Sequence, residues 1–154
     1  MAVDIIGHPG KSAVLYIPAG IRNAPAIRSA NMMFPMIMYW ITKKDKWLRK
    51  CFMPMAITEE NVTDDIYQTA KLSIDHVKVK TAMPSDVDAG KIEKCPAPAL
   101  VMGAEKDCLF PGAGVIERAR KIIPNCRTYL LRGRGHIHFL TDEEKKMIVD
   151  FLLE

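Results

Sequence analysis

No two of the four cysteines (Cys51, Cys95, Cys108 and Cys126) stand at C-x-x-C spacing. That excludes a zinc ribbon and a thioredoxin-type redox pair. Aromatic residues make up only 7% of the chain and are not interleaved with basic ones. A base-stacking platform is therefore not expected. Charge of one sign is also scarce: 22 basic against 18 acidic residues leave a net +4, spread along the chain. Such a mild excess favours no polyanion, so no nucleic-acid partner is expected. The longest apolar run, residues 32–41, contains Pro35 and falls well short of the roughly 20 residues a membrane span needs, so no membrane partner is expected either. Asp4, His8, Pro9 and Gly10 interrupt the first twenty residues, so no uninterrupted apolar signal core forms. Free thiols in a reducing cytoplasm are the expectation.

What is there is one domain's worth of chain, 154 residues, 49% hydrophobic and 26% charged. It divides into three parts. In residues 1–21 the run Ala13-Val-Leu-Tyr-Ile17 lies between Gly10 and Pro18-Ala-Gly20. A short apolar run between breakers predicts a strand covered on both faces, as in a parallel sheet. Residues 22–93 are helical in pattern and hold seven of the ten methionines. Met36, Tyr39 and Trp40 are expected on one helix face, and Trp47 with Cys51 on another, with Lys43, Lys44, Lys46, Arg49 and Lys50 forming the polar surface between. Thr58-Glu-Glu-Asn61 reads as a helix start. A further helix is predicted from Thr63 to about Val79, with Asp64 and Asp65 suiting its dipole. The methionine cluster suits either adaptable core filling or a plastic apolar pocket wall.

Residues 94–154 read strand, helix, strand, helix. The expected strands are residues 99–102 and 127–131. The expected helix between them covers residues 115–123, opened by Pro111-Gly112 and stopped by Pro124. A last helix follows Thr141, with Glu144 completing a capping box and Phe139, Leu140, Ile148, Phe151 and Leu152 as apolar anchors. This alternation predicts an α/β fold with a small parallel sheet of three strands and right-handed crossovers. Ligands bind such sheets beyond the carboxyl ends of the strands. Asp107 follows one strand there and His136 follows the next, after Gly133-Arg-Gly. An acid beside a histidine fixes its tautomer and stabilises the imidazolium, so the two form a candidate acid–base pair.

The segment Cys95-Pro-Ala-Pro-Ala-Leu-Val-Met-Gly-Ala-Glu-Lys-Asp107-Cys-Leu-Phe-Pro111 resembles the acid loop of the α/β-hydrolase family. Gly133-Arg-Gly-His136 and the strand before it resemble the segment carrying that family's catalytic histidine. Ala13-Val-Leu-Tyr-Ile-Pro-Ala-Gly20 resembles its sixth strand, after which a helical lid is often inserted. The resemblance implies a partial core from residues 1–21 and 94–154 and a lid from residues 22–93. It also implies Asp107 and His136 as the catalytic acid and base. Met32, Met33, Met36, Trp40 and Trp47 are the lid residues expected to touch a small apolar substrate; that part of the reading rests on composition.

The departure is equally specific. The family's nucleophile sits in G-x-S-x-G before the sixth strand. The chain's four serines are Ser12, Ser29, Ser73 and Ser85, and none lies between glycines at that spacing. The glycine-rich oxyanion loop is missing too. The chain thus resembles the C-terminal half of an α/β-hydrolase acting on an ester or similar acyl bond, expected to be inactive alone. A partner is implied, either a second copy in a dimer or a missing N-terminal half. The alternative is a non-catalytic binding or self-association domain. No cofactor is implied. Gly10-Lys11-Ser12 lacks the further glycine a phosphate loop places at Ile5, and His136 with His138 have no third His or Cys close in sequence, so no metal is assigned. Cys108, next to Asp107, reads as a small buried thiol.

Overall fold

The computed structural model describes residues 12–77 and 84–154, except for the side chains of residues 26–30. The expectations that involve Asp4, His8, Pro9, Gly10, Lys11, Val79 and Met83 lie outside those residues.

Three strands form one parallel sheet in the order β1 (Ala13–Tyr16), β2 (Ala99–Ala104), β3 (Cys126–Leu131). Tyr16, Met102 and Tyr129 lie in one row across it. The central strand β2 is buried at every residue, as its unbroken apolar sequence requires. β1 differs from the expected doubly covered strand: only Val14 is buried, and the strand stops at Tyr16. Among the described residues it is an edge of the sheet, with β2 on one side only. Ile17 then turns to φ 46°, a conformation that strains a β-branched residue, while its N–H still reaches Met102 O at 2.9 Å.

Helix α5 (Gly112–Ile122) and helix α6 (Asp142–Leu153) cover opposite faces. Thr128 and Leu130 of β3 point towards α5, and Arg127 and Tyr129 towards α6, following the strand period of two. α5 begins three residues earlier than expected, at Gly112, with Pro111 at its N-cap position and no side-chain cap bond. A Cβ on Gly103 would stand 2.9 Å from Gly112 Cα. This glycine pair lets the start of α5 press onto the end of β2 and fold the loop between them tightly over the sheet. α6 carries the expected capping box, with Thr141 Oγ1 accepting from Glu144 N–H and the Glu144 carboxylate accepting from Thr141 N–H. Phe151 is buried, and Leu140, Ile148 and Leu152 pack on the core. Phe139 does not; it is 52% exposed, in the loop before the helix.

The middle of the chain forms α1 (Ala26–Thr42), α2 (Asp45–Ala56), α3 (Asp64–His76) and a short α4 (Ala89–Ile92). Thr58 does not start a helix. Residues Glu59–Asn61 make one 3₁₀ turn, held by the Asn61 amide donating to Ala56 O and Thr58 Oγ1. The α3 N-cap is Thr63, whose Oγ1 accepts from Ile66 N–H. α3 ends at His76, short of the expected limit. Tyr39, Leu48, Phe52, Ala56, Val62 and Tyr67 form a second apolar cluster separate from the sheet's. Trp40 is not on Tyr39's face. One residue along a helix is about 100° of rotation, and Trp40 is 49% exposed where Tyr39 is fully buried.

Candidate functional site

Two loops meet beyond the carboxyl ends of β2 and β3. The β2 loop carries Asp107 and the β3 loop carries His136. Backbone bonds lace them together: Glu105 N–H to Leu131 O at 3.0 Å, and Lys106 N–H to Arg134 O at 2.8 Å. The Glu105 carboxylate also accepts from Gly133 N–H at 2.7 Å. The relative position of the two loops is therefore fixed by main chain as well as by side chains.

Asp107 is buried. Its Oδ1 accepts from the backbone N–H groups of Leu109 (2.7 Å) and Phe110 (3.0 Å). That leaves Oδ2 aimed at His136 Nδ1, 2.9 Å away. A carboxylate oxygen can only accept, so the ring donates through Nδ1–H and its Nε2 lone pair is left for a proton from elsewhere. Nε2 of His136 has no hydrogen-bond partner among the described residues. The His136 side chain is 12% exposed, and the Phe110 ring packs beside it with centroids 5.6 Å apart. An oriented imidazole with one nitrogen on a buried acid and the other free is suited to take and return a proton.

His138 takes a different place. Its Nδ1 lies 2.7 Å from Gly135 O and its Nε2 lies 2.6 Å from the Tyr16 hydroxyl. A carbonyl only accepts, so Nδ1 carries the proton and Tyr16 O–H donates to Nε2. Both nitrogens are used by the protein, which removes His138 as a rival to His136. Burial holds its pKa below the usual histidine range, with the nearby Arg134 acting the same way. Burial likewise pushes the Tyr16 hydroxyl up to about 12, helped by Glu144.

The helical segment touches both loops. Met32 Sδ lies 3.8 Å from Cys108 Sγ, beside Asp107. Ile137 packs into the helices' own apolar cluster. Of the other sequence-selected contact residues, Met36 and Trp47 pack against that same cluster, with Trp47 edge-on to Phe34. Met33 and Trp40 face outward from α1. The Cys108 thiol is pushed up to about 11 by burial and by neighbouring Asp107, which keeps it a thiol at neutral pH. Sequence reasoning did not single out Tyr16, Glu105 or Ile137. Tyr16 carried the available signal, since it too ends a strand at the ligand-binding edge.

No family model matches the sequence, and no curated protein matches it. Solved structures do. A protein from Bacillus subtilis superposes with TM-score 0.70 at 11% identity, over 92% of this chain and 51% of that one. A carboxylesterase from Bacillus subtilis gives 0.65 at 14% identity, over 92% and 51%. A meta-cleavage product hydrolase from Pseudomonas fluorescens gives 0.65 at 16% identity, over 93% and 56%. The fold is that of the α/β-hydrolases, and the chain spans about half the length of the solved structures it matches.

Proposed function

We propose that this chain is the acid-and-histidine half of an α/β-hydrolase acting on an ester or similar acyl bond of a small apolar substrate. The observation that carries the proposal is the 2.9 Å contact between His136 Nδ1 and a buried Asp107 that is itself anchored by two backbone N–H groups. The esterase and hydrolase neighbours support the same class of reaction. In the complete mechanism a nucleophile, supplied by a polypeptide segment other than residues 12–77 and 84–154, attacks the acyl carbon. Its proton passes to His136 Nε2 and then to the leaving group; water repeats the sequence to release the acid. Asp107 keeps the proton of Nδ1 facing itself throughout.

The test starts from the reading frame upstream of the codon for Met1. A protein joining that upstream segment to this chain is assayed on aryl esters beside the isolated chain. The expected results are a G-x-S-x-G in the upstream segment, turnover by the joined protein, and loss of at least roughly 10³-fold with His136→Ala. The isolated chain should be close to inert. Turnover by the isolated chain, or a folded joined protein without turnover, overturns the proposal. A second reading, a non-catalytic association domain, is favoured by the outward apolar face of α1, where Phe34 is 62% and Ile41 72% exposed. An upstream segment without a nucleophile motif would support it.

A further inference from the structure

We infer that Tyr16 and His138 are positioning residues for His136, acting through the Gly135 carbonyl; the inference rests on the reading of His136 as the catalytic base. The chain of contacts is continuous. Tyr16 O–H donates to His138 Nε2 at 2.6 Å, and His138 Nδ1–H donates to Gly135 O at 2.7 Å. The Gly135 carbonyl belongs to the peptide that enters His136, so fixing it fixes the Cα from which the imidazole reaches Asp107.

The two groups are placed by different elements. Tyr16 is the last residue of β1, in register with Met102, so its hydroxyl is set by the sheet. His138 lies in the β3 loop, two residues beyond the histidine it serves. The relay therefore refers the loop to the sheet's far edge, whereas the backbone bonds described above refer it only to the neighbouring β2 loop. The rings also pack, with centroids 5.5 Å apart. Both groups stay neutral near pH 7, because burial raises the tyrosine and lowers the histidine. The donor–acceptor direction is then fixed: from the hydroxyl, through the imidazole, to the carbonyl. A glycine precedes His136, and its backbone needs holding more than that of any other residue.

The test reads His136 directly. In the full chain with ¹⁵N-labelled histidine, the Nδ1 proton shared with Asp107 gives a low-field NMR signal whose exchange with water reports how tightly the ring is held. Tyr16→Phe keeps the ring and removes the donor. His138→Phe removes both bonds. His138→Asn keeps a donor for Gly135 O and serves as the conservative rescue. Exchange should quicken roughly three- to tenfold in Tyr16→Phe, the loss of about one net hydrogen bond, and more in His138→Phe. His138→Asn should fall between wild type and His138→Phe. A purely structural role lowers thermal stability and leaves the His136 signal unchanged in folded protein. That result in Tyr16→Phe and His138→Phe strikes this inference alone. Absence of the signal from the wild type strikes the Asp107–His136 pairing itself, and this inference with it. Should His138→Phe fail to fold, Tyr16→Phe and His138→Asn carry the same comparison.

Discussion

Ile137 donates its backbone N–H to the carbonyl of Met55 at 3.0 Å, one residue beyond His136. Met55 lies in the last turn of α2, so the histidine loop is bonded to the helical segment as well as to the sheet. The Ile137 side chain follows the same direction, into the cluster around Tyr39, Leu48 and Phe52. A shift of α2 along its axis would therefore carry His136 with it.

Gly135 is where that bonding leaves no room. A Cβ there would collide with Met55 O and stand 2.8 Å from Ile57 Cγ1. Gly135→Ala should cost about 1–3 kcal/mol of stability, the usual range for overpacking. At this chain length that is roughly a 3–10 °C fall in melting temperature. Gly114→Ala is the contrast: its Cβ meets only Arg22 Cγ at 3.2 Å, part of a flexible side chain. That variant should be neutral or gain up to about 1 kcal/mol from helix propensity. Thermal denaturation of both proteins decides; equal melting points would mean that α2 yields freely to the loop.

Asp107 has two tasks that substitutions separate. Asp107→Ala leaves the Leu109 and Phe110 N–H groups without their acceptor, at about 1–3 kcal/mol for each buried group left unpaired. Asp107→Asn can still present an oxygen to both. Its amide then faces His136, which must accept at Nδ1 and carry its proton on Nε2 instead. Chemical denaturation should rank Asp107→Asn well above Asp107→Ala. The ¹⁵N spectrum should show the reversed tautomer in the Asn variant. Equal stabilities would show that Asp107 does not hold the loop.

The thiols should separate by environment. Burial pushes Cys51 and Cys108 up to about 11, which keeps both as unreactive thiols at neutral pH. Cys95 is exposed. Iodoacetamide followed by peptide mass mapping should label Cys95 first and Cys51 last. Rapid labelling of Cys108 would contradict its burial and reopen it as a nucleophile.

The strands, the last helix and the Asp107–His136 juxtaposition were legible because each rests on local rules. Apolar runs between breakers mark strands, Thr141 and Glu144 mark a cap, and strand carboxyl ends mark the site. What the sequence hid depends on contacts made at a distance. The 3₁₀ turn at Glu59 looked like a helix start because Thr58-Glu-Glu carries the same residues as a true cap; the deciding bonds are those of Asn61 back to Ala56 and Thr58. Trp40 and Tyr39 are both large and aromatic, and only tertiary packing tells which apolar stripe of a doubly apolar helix goes inward. Tyr16 reaches His138 across 122 positions, a pairing no local pattern announces.

Acid should weaken the fold partly through His138. Its folded pKa is depressed below 6.5, chiefly by burial. The unfolded chain therefore binds a proton at this site more readily than the folded one. Stability is fully present above the unfolded value near 6.5 and is lost as pH falls below it towards the folded value. The charged or titratable groups around it are Tyr16 from β1, Arg134 and His136 from its own loop, and Glu144 from α6; burial outweighs the Gly135 carbonyl and Glu144, which both favour the imidazolium. Urea unfolding at pH 7.5 and 5.5 should show wild type losing stability over that interval. His138→Asn should lose less. A loss of the same size in both would place the acid sensitivity elsewhere.

The protein should associate with itself. On α1, Met33, Phe34, Ile37, Trp40 and Ile41 are 55%, 62%, 44%, 49% and 72% exposed. At about 100° per residue they fall within one arc of the helix, about 120° wide, on the side away from Tyr39. Scattered exposed apolar residues are ordinary, but five contiguous large ones on one helix face mark an interaction surface. β1 adds a second open feature, a parallel edge strand whose outer N–H and C=O groups have no strand beside them among the described residues. A two-fold axis lets one copy cover both features of another. Light scattering after size exclusion at micromolar concentration should give twice the chain mass. Ile37→Asp with Trp40→Glu should return it to a folded monomer, since both side chains point away from the helices' own core. A wild-type chain that stays monomeric across dilution would sink the prediction. The apolar face of α1 would then be reserved for the nucleophile-bearing half, and the joined protein of the activity test should bury it.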